Sequence, residues 1–389
     1  MSTTLLPDYC GGSIVNLMQS IATACGSTLA RYPQLATLPA VTLSRARHVL
    51  LLVIDGLGQR TLARHMAASP HLHQHLLGSM TSVFPSTTAS AITAMMTGLA
   101  PAQHALTGWH MHLDEIDQTL AILPLLPRTG PVRLPANELP PRLFEHASLF
   151  QGLDRESWVV APKNIVGSAF NAWHARAAQT RAYGSLDEMF ACLGELLQET
   201  AIPRYIYAYY PDLDSYSHHY GTDSRQAVHT LAAFDDLFGD FLRRVRGSRS
   251  WVLVTADHGF IDSPPRRVIS LDDHPQLGEL LLRPLCGERR VAYCYVAPDK
   301  RPVFEAYVRR HLARAAHLYA SDRLIAAGWF GPPPYHPRLS SRVGDYTLVM
   351  KDNWTIKDWL PGEKRFAMLG VHGGISASEM RVPLVGLLA

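Results

Sequence analysis

The chain has 389 residues, 47% of them hydrophobic and 18% charged, which is enough to bury a large core as one large domain with an insertion or as two domains. Its 36 basic and 33 acidic side chains give a net charge of +3, too small to indicate a nucleic acid or an anionic membrane as a partner. The sequence lacks a run of about 18 apolar residues and a secretory signal at its start, so we expect a cytoplasmic protein. Five cysteines without Cys-x-x-Cys spacing argue against a disulfide framework or a thiolate metal site.

A short, continuous and β-branched run over residues 49–54 predicts the first strand, buried on both faces of a parallel sheet. Asp55 follows it directly. A second apolar run, residues 251–256, ends in the adjacent pair Asp257 and His258. Because open α/β sheets bind ligands at the carboxyl ends of their strands, we expect these side chains to face a ligand. Taken alone, an aspartate after a buried strand is more often a helix cap or a turn residue.

A hydroxyl-rich segment, residues 84–88, precedes a small-residue stretch that predicts a helix over residues 89–96. Thr88 would lie at the helix start, where free backbone N–H groups and the helix dipole attract a phosphate. Coordination to a divalent cation would lower the pKa of its alcohol enough to supply an alkoxide. Thr88 is therefore the candidate nucleophile, although a threonine here is also a common N-cap, and Ser86 or Thr87 could take its place.

Three further candidate ligands come from two later segments. Asp214 and His218 are four residues apart, so one helical turn would put both on the same side, where they could hold one cation. His372 is flanked by glycines, which leave its imidazole accessible, although a lone histidine in such a segment is more often a surface loop residue. The prediction of a metal site therefore rests on the occurrence of all these residues in one chain, and not on any one of them. The chain predicts a two-metal phosphoryl-transfer site formed by Asp55, Thr88, Asp214, His218, Asp257, His258 and His372.

Strands and helical patterns alternate along the rest of the chain, as βαβ units require. Helices are predicted over residues 186–197 and 227–245, and a strand over residues 157–161. Polar residues after that strand would lie at the ligand-binding edge of the sheet. The candidate substrate-binding residues are Lys163, Ser168 and Asn171.

Two regions interrupt this alternation. The proline-rich stretch over residues 110–150 predicts an irregular loop that could form one wall of the active site. Residues 264–345 combine a predicted strand, a predicted helix and a turn-rich segment, which indicates a small inserted α+β subdomain. The insertion would either select substrate or simply cover an edge. The catalytic domain would then comprise residues 1–263 and 346–389.

Five motifs occur in a fixed order between residues 49 and 374. They are a strand ending in Asp-Gly, a Phe-Pro-x-x-Thr element followed nine residues later by Thr-Gly, an Asp-x-x-x-His-x-x-Gly element, a Thr-x-Asp-His-Gly element and a late His-Gly, at residues 55–56, 84–88 with 97–98, 214–221, 255–259 and 372–373. Their order and setting resemble the alkaline phosphatase superfamily, and within it the type I phosphodiesterase and nucleotide pyrophosphatase family.

The resemblance implies an α/β fold, an alkaline-phosphatase-like sheet of mostly parallel strands flanked by helices. It also implies two divalent metal ions, one held by Asp214, His218 and His372 and the other held by Asp55, Asp257, His258 and the Thr88 oxygen. Zinc is the usual ion of the family, and a mixed imidazole and carboxylate set without thiolate suits zinc while also accepting manganese or iron.

The implied activity is hydrolysis of a phosphodiester or pyrophosphate bond in a small phosphate ester or nucleotide, through a covalent phospho-threonine at Thr88. Two departures bear on the substrate class. The phosphodiesterases carry an asparagine three residues after the nucleophile, where this chain has Ala91, and Ser217 replaces the usual glycine before the first metal histidine. A phosphomonoesterase or phosphotransferase using the same site is the alternative, and a non-catalytic metal- or phosphate-binding protein is a third possibility. Oligomeric state is left open.

Overall fold

The computed structural model describes residues 4–131, 134–135, 138–198, 202–363 and 365–389. Two seven-stranded sheets and two small two-stranded pairs contain the strands of these residues. In chain order the strands are β1 (His48–Ile54), β2 (Leu76–Thr81), β3 (His110–Leu113), β4 (Gln118–Ala121), β5 (Leu126–Pro127), β6 (Glu156–Pro162), β7 (Gln179–Tyr183), β8 (Arg204–Tyr210), β9 (Ser250–Thr255), β10 (Ile261–Asp262), β11 (Val268–Ser270), β12 (Cys286–Gly287), β13 (Val291–Cys294), β14 (Ala316–Ala320), β15 (Tyr346–Met350), β16 (Thr355–Lys357), β17 (Gly370–Val371) and β18 (Arg381–Leu388).

Helices connect and cover these strands. In chain order they are α1 (Ile14–Ala24), α2 (Ala40–Leu43), α3 (Gln59–Arg64), α4 (Pro70–Gln74), α5 (Thr88–Thr97), α6 (Pro101–His104), α7 (Leu139–Leu143), α8 (Lys163–Val166), α9 (Ala169–His174), α10 (Leu186–Gln198), α11 (Asp212–Tyr220), α12 (Arg225–Arg244), α13 (Pro275–Leu280), α14 (Arg301–His311), α15 (Ser321–Ala326), α16 (Leu339–Arg342) and α17 (Ala377–Met380). Within the described part of the chain, none of them is both long and apolar enough to cross a membrane.

The first sheet has the strand order β2-β18-β9-β1-β8-β6-β7. Its strands from β9 to β7 are parallel, and β18 pairs antiparallel with both β2 and β9. Every residue of β1 is buried, as its unbroken apolar run requires for a strand covered on both faces. The predicted α/β fold class is therefore confirmed, and the carboxyl ends of β1, β8 and β9 meet at one edge.

Long helices cover the first sheet through apolar faces that the sequence pattern predicts. The face of α12 buries Phe234, Phe238 and Phe241, and Phe190 of α10 lies within about 5.3 Å of the Phe234 ring centre. Such aromatic contacts bury large apolar areas and hold the two helices together. On the nucleophile side, α5 packs against α1.

The second sheet is entirely antiparallel and has the order β14-β15-β13-β12-β3-β4-β5. The prediction of an irregular loop over residues 110–150 was therefore wrong for β3, β4 and β5. These strands have four residues or fewer, too short to show a clear alternation, yet Met111 and Leu120 pair across them and are fully buried. Because the same sheet contains β3–β5 and β15, it extends beyond residues 264–345, and the domain division at those residues stays a prediction.

Candidate metal centre and its cavity

Two carboxylates leave the same edge of the first sheet. Asp55 follows β1, and Asp257 lies just beyond the parallel neighbouring strand β9. The hydroxyl of Tyr209 donates a hydrogen bond to Asp55 Oδ2, while Asp257 Oδ1 accepts from the backbone N–H groups of Gly56 at 3.1 Å and His258 at 2.9 Å. One oxygen of each carboxylate is thus fixed. The other two, Asp55 Oδ1 and Asp257 Oδ2, are buried without a hydrogen-bond partner among the described residues.

His258 brings those two free oxygens together with Thr88. Its Nε2 atom lies 3.4 Å from Asp55 Oδ1, 3.3 Å from Asp257 Oδ2 and 3.1 Å from Thr88 Oγ1. The imidazole is fully buried. These four side chains are the predicted second metal set, and their ligand atoms converge.

The three remaining candidate ligands meet beside this group. Asp214 and His218 lie on α11, and His218 Nε2 is 3.3 Å from Asp214 Oδ1. His372 Nε2 approaches the same oxygen at 3.8 Å. The Nδ1 atom of His218 is 2.9 Å from the carbonyl oxygen of Gly370, which orients Nε2 toward Asp214. Asp214 Oδ1 is also buried without a hydrogen-bond partner in the described residues.

The distances between ligand atoms group the residues slightly differently from the predicted division into two metal sites, because His258 belongs to both groups. Asp214, His258 and His372 have ligand atoms within 4.8 Å of one another, as do Asp55, Asp257 and His258. His258 therefore lies between the two groups, with its ring stacked on that of His372 at 3.8 Å, while His218 contacts Asp214. The structure brings all seven predicted residues together. Which residue holds which ion stays a prediction.

The electrostatics of this cluster suit divalent cations. Burial and the nearby charges of Asp214 and Asp257 raise the pKa of Asp55, and burial with the neighbouring His258 and His218 lowers the pKa of His372 well below its usual value. Cations would favour the carboxylate and the neutral imidazole, and would supply partners for the three orphaned oxygens. The mixed oxygen and imidazole set fits zinc or manganese. The residues present therefore fit a centre for divalent metal ions.

The nucleophile segment has three hydroxyl groups, on Ser86, Thr87 and Thr88. The Thr88 hydroxyl lies beside the predicted ligand His258, whereas the other two have different partners. Ser86 Oγ donates to the carbonyl oxygen of Gly374 at 2.7 Å, and Thr87 Oγ1 donates to Glu288 Oε1 at 2.5 Å. Thr87 is the N-cap residue of α5, but its side chain does not cap the helix. The first backbone N–H groups of α5 thus remain available for an anion beside Thr88.

A cavity of about 360 Å³ opens from the metal ligands toward the second sheet. Its wall near the ligands includes Thr88, Asp214, His218 and His372. Its other walls come largely from the second sheet and the segment before β17, and include Trp109, His110, Arg128, Glu288, Arg289, Lys357, Asp358, Phe366 and Met368. None of these latter residues was predicted from the sequence, because the cavity joins segments that are far apart in the chain.

Among these unpredicted residues, Glu288 makes a direct contact with the nucleophile segment. Its Oε1 atom accepts hydrogen bonds from Thr87 Oγ1 at 2.5 Å and from the backbone N–H of Trp109 at 2.8 Å. Burial raises the pKa of its carboxyl to about 7. In the sequence Glu288 is followed by two arginines, Arg289 and Arg290, so this charged segment looks like an ordinary surface turn. No motif indicated a role for Glu288.

Two cations that line the cavity, Arg128 and Lys357, are paired with carboxylates. Arg128 pairs with Asp358 at 2.6 Å and with Glu363 at 2.8 Å, and its side chain is almost completely buried. Lys357 Nζ lies 3.0 Å from Glu363 Oε2. Arg289 donates to the carbonyl oxygen of Phe366 at 3.1 Å. These contacts hold the charged side chains of this part of the cavity wall in place.

The predicted substrate-binding residues have local structural partners instead. Ser168 caps α9 by accepting a hydrogen bond from the backbone N–H of Asn171 at 3.2 Å, and Asn171 Nδ2 donates to the carbonyl oxygen of Val166 at 2.8 Å. Lys163 lies on the surface, 3.5 Å from Glu188. None of the three lines the cavity described above. Their assignment to substrate binding therefore gains no support from these contacts.

The two departures from the family pattern are both accommodated. Ala91 is fully buried on α5 and contributes no polar group. Ser217 is buried on α11, and its hydroxyl donates to the carbonyl oxygen of Leu213 at 2.7 Å. A Cβ atom on Gly370 would lie 2.4 Å from the Ser217 carbonyl oxygen, so only glycine permits this close approach beside His218.

A buried ion pair supports the loop that carries His372. Arg290 contacts Glu379 through two hydrogen bonds, at 2.9 and 3.0 Å, and both side chains are almost fully buried. Glu379 Oε1 also accepts from the backbone N–H of Gly374 at 2.8 Å, and the Gly374 carbonyl accepts from Ser86. The ion pair thus connects the second sheet, the late histidine loop and the nucleophile segment.

The sheet, the seven converging side chains and the adjoining cavity define a member of the alkaline phosphatase superfamily. The chain matches the profile of the type I phosphodiesterase / nucleotide pyrophosphatase family over residues 49–374, and it belongs to that family. This confirms the predicted enzyme class, a hydrolase acting on phosphate-ester bonds. No curated protein sequence matches the chain.

Several solved structures share the fold. Murine ectonucleotide pyrophosphatase/phosphodiesterase 5 superposes with a TM-score of 0.64 at 18% identity, covering 86% of this chain and 87% of that chain. An inactive threonine-to-alanine variant of the murine protein in complex with AMP gives 0.63 at 18% identity over the same shares. Phosphonoacetate hydrolase from Sinorhizobium meliloti 1021, in complex with phosphonoformate, gives 0.64 at 17% identity, covering 88% of this chain and 90% of that chain.

Proposed function

We propose that this protein is a two-metal phosphohydrolase that cleaves phosphodiester or pyrophosphate bonds through a covalent phospho-threonine at Thr88. The observation that carries the proposal is the position of Thr88 Oγ1, which lies 3.1 Å from His258 Nε2 and borders the cavity at the uncapped start of α5. A hydroxyl in this position can reach a phosphate held by the metal ligands and by the backbone N–H groups of the helix.

The proposed reaction has two in-line steps. Thr88 Oγ1 releases its proton to solvent and attacks phosphorus, forming a threonine–phosphate bond while the bond to the leaving oxygen breaks and that oxygen leaves as an anion or takes a proton from solvent. A water molecule then attacks the same phosphorus, and the threonine–oxygen bond to phosphorus breaks, returning the alcohol. Divalent cations bound by the seven residues, which we propose to be zinc with manganese as an alternative, would neutralise the phosphate and lower the pKa of the Thr88 alcohol.

The backbone of α5 offers a substitute for the asparagine that this chain lacks. Ala91 supplies no hydrogen-bond donor, but the side chain of Thr87 leaves the helix N-terminus open because it contacts Glu288. The first N–H groups of α5 can then donate to the non-esterified oxygens of the phosphate. Because Ala91 removes one feature of the phosphodiesterases, a monoesterase or phosphotransferase activity at the same site remains the second candidate.

The structural neighbours support a small phosphate ester as substrate. One murine neighbour is in complex with AMP, and its inactive form replaces a threonine by alanine, which supports a threonine nucleophile. A cavity of about 360 Å³ is large enough for a ligand of that kind. We therefore propose a nucleotide or another small phosphate ester as the substrate class.

Thr88→Ala tests the nucleophile. We expect turnover of a chromogenic phosphodiester to fall by about a thousandfold or more, because no other hydroxyl of the segment lies beside His258, while metal content stays largely unchanged. Rates and metal content by plasma mass spectrometry would be measured on the same preparations. Thr93→Ala is the matched control, since Thr93 lies on the same helix and its hydroxyl bonds to the Ala89 carbonyl at 2.7 Å. Wild-type turnover by Thr88→Ala would refute the assignment.

A further inference from the structure

Glu288 places a carboxyl group on the wall of the cavity that contains Thr88, His218 and His372. Its Oε1 atom is occupied by the Thr87 hydroxyl and the Trp109 backbone N–H, whereas its Oε2 atom accepts no hydrogen bond within the described residues. No described lysine or arginine lies within 4.0 Å of this carboxylate. Once ionised, Glu288 therefore presents a carboxylate without a direct ion-pair partner, although the charges of His218 and Arg289 act on it from farther away.

The backbone around Glu288 holds the carboxyl in this position. Gly287 has a positive φ of 82° and packs against Gly108, where a Cβ atom would lie 2.6 Å from the Gly287 Cα atom. On the other side, a Cβ atom on Gly373 would lie 2.9 Å from the Glu288 Cβ atom. Glu288 is thus packed between the loop of Trp109 and the loop that follows His372, which limits its freedom to turn away from the site.

Two of the cations that line the same cavity are already paired with carboxylates. Arg128 and Lys357 are paired with Asp358 and Glu363, so these cations do not neutralise Glu288. A substrate phosphate bound beside Thr88 meets the metal ligands on one side and the Glu288 carboxyl on another. Both the attraction to the metals and the repulsion by Glu288 grow with the charge on the reacting phosphoryl group, so Glu288 opposes the advantage that the metals give to a dianion.

We propose that Glu288 is a specificity-determining residue that favours substrates whose reacting phosphoryl group carries a single negative charge, as in a phosphodiester or an internal anhydride, over doubly charged phosphate monoesters. The inference deepens the proposed function and rests on it. One extra charge within about 6 Å of a carboxylate, at an effective dielectric of about 20, weakens binding by on the order of a hundredfold. Repulsion of that size offsets part of the stronger attraction of a dianion to the metals and so shifts the preference toward the singly charged substrate.

Glu288→Gln is the test, because the amide oxygen can still accept the hydrogen bonds of Thr87 and Trp109 while the charge is removed. At pH 8, above the pKa of about 7 of the Glu288 carboxyl, we expect the ratio of kcat/KM for a chromogenic monoester to that for the matching diester to rise by about tenfold or more. Glu195→Gln is the matched control, since it removes a surface carboxylate of α10 that pairs with Arg181 at 2.8 Å outside the cavity. Its ratio should equal that of the wild type. Thr87→Val, which removes the hydroxyl and keeps the charge, should not raise the ratio.

Binding of inorganic phosphate gives a second readout that does not need turnover. In the metal-loaded Thr88→Ala background, we expect Glu288→Gln to tighten phosphate binding at pH 8, measured by calorimetry, by about tenfold or more. An unchanged ester ratio together with unchanged phosphate affinity would overturn the proposal, as would an equal fall in the turnover of both esters, which indicates a purely structural role. If the metal-loaded wild type hydrolyses neither ester, the proposed function fails. The calorimetric measurement of phosphate binding alone then decides whether Glu288 repels a dianion.

Discussion

At the scale of single residues, the geometry of the candidate metal centre depends also on side chains outside the seven predicted ligands. Tyr209 donates to Asp55 Oδ2 and leaves Oδ1 free for a metal. Burial and the charge of Asp55 raise the pKa of Tyr209 well above its usual value, so its hydroxyl stays protonated and keeps its role as donor. Such partners orient the ligand and tune its basicity. The aromatic run of β8 gives no hint of this role, because the alternation pattern identifies only a buried strand.

Tyr209→Phe should weaken metal binding by about tenfold to a hundredfold, because Asp55 loses the hydrogen bond that fixes its orientation. Metal titration followed by calorimetry measures the affinity. Tyr207→Phe is the matched control. Tyr207 is two residues earlier on the same strand, and its buried hydroxyl has no hydrogen-bond partner in the described residues. Equal losses in the two variants would show that the effect comes from packing in β8 and not from the contact with Asp55.

The candidate site itself could be predicted residue by residue to a large extent. Asp55 and Asp257 follow long buried strands, and the four-residue spacing of Asp214 and His218 matches one turn of α11. Glu288 could not be predicted, because its contact with Thr87 joins residues 201 positions apart in a region without a motif. Local patterns identify where polar groups leave the sheet, but they do not specify which distant loop closes the cavity.

At the scale of elements, the long strands and helices follow from the sequence, and the short ones do not. The continuous apolar runs predict β1 and β9, and the helical spacing of phenylalanines predicts α12. In contrast, β3 and β4 have four residues each and gain their stability from pairing within the second sheet. Tertiary contacts therefore decide the structure of such segments, and a proline-rich composition alone is a poor guide to it.

The connection between the two sheets depends on the buried pair of Arg290 and Glu379. Arg290→Met would leave the Glu379 carboxylate buried without its partner, and we expect the free energy of unfolding to fall by about 3–5 kcal/mol. Urea unfolding measures this change. The exposed pair of Arg309 and Glu305, at 3.0 Å, provides the control, and Arg309→Met should cost less than about 1 kcal/mol. A similar small cost for Arg290→Met would contradict the assigned role of the ion pair.

At the scale of the whole molecule, several buried histidines are held in the neutral form. Burial, with the charges of Arg204, Arg47 and Arg155, lowers the pKa of His48 to about 4. Burial lowers the pKa of His174 to about 4 as well. Both lie below the value of about 6.5 in an unfolded chain. Between these values the unfolded chain binds more protons than the folded protein, so acid favours unfolding.

We therefore expect these histidines not to lower the free energy of unfolding above about pH 6.5. Between about pH 6.5 and 4, the free energy of unfolding should fall by up to about 1.4 kcal/mol per pH unit for each such histidine. Urea unfolding of chelator-treated protein between pH 7 and 4.5 separates this effect from metal binding. In His48→Asn, an amide oxygen can replace Nδ1 as acceptor of the Arg204 backbone N–H, at 3.2 Å in the wild type, without titrating. This variant should show a shallower slope. An identical slope would exclude His48 as a contributor.

The position of β18 has a consequence for synthesis on the ribosome. This strand, Arg381–Leu388, lies between β2 and β9, and His372 comes shortly before it in the chain. A nascent polypeptide that has already released β2, β1, β8 and β9 from the exit tunnel still has a gap in its main sheet and an incomplete set of ligands. Completion of the hydrolytic centre therefore requires β18, and metal loading should follow translation of this strand rather than accompany the emergence of the earlier ones.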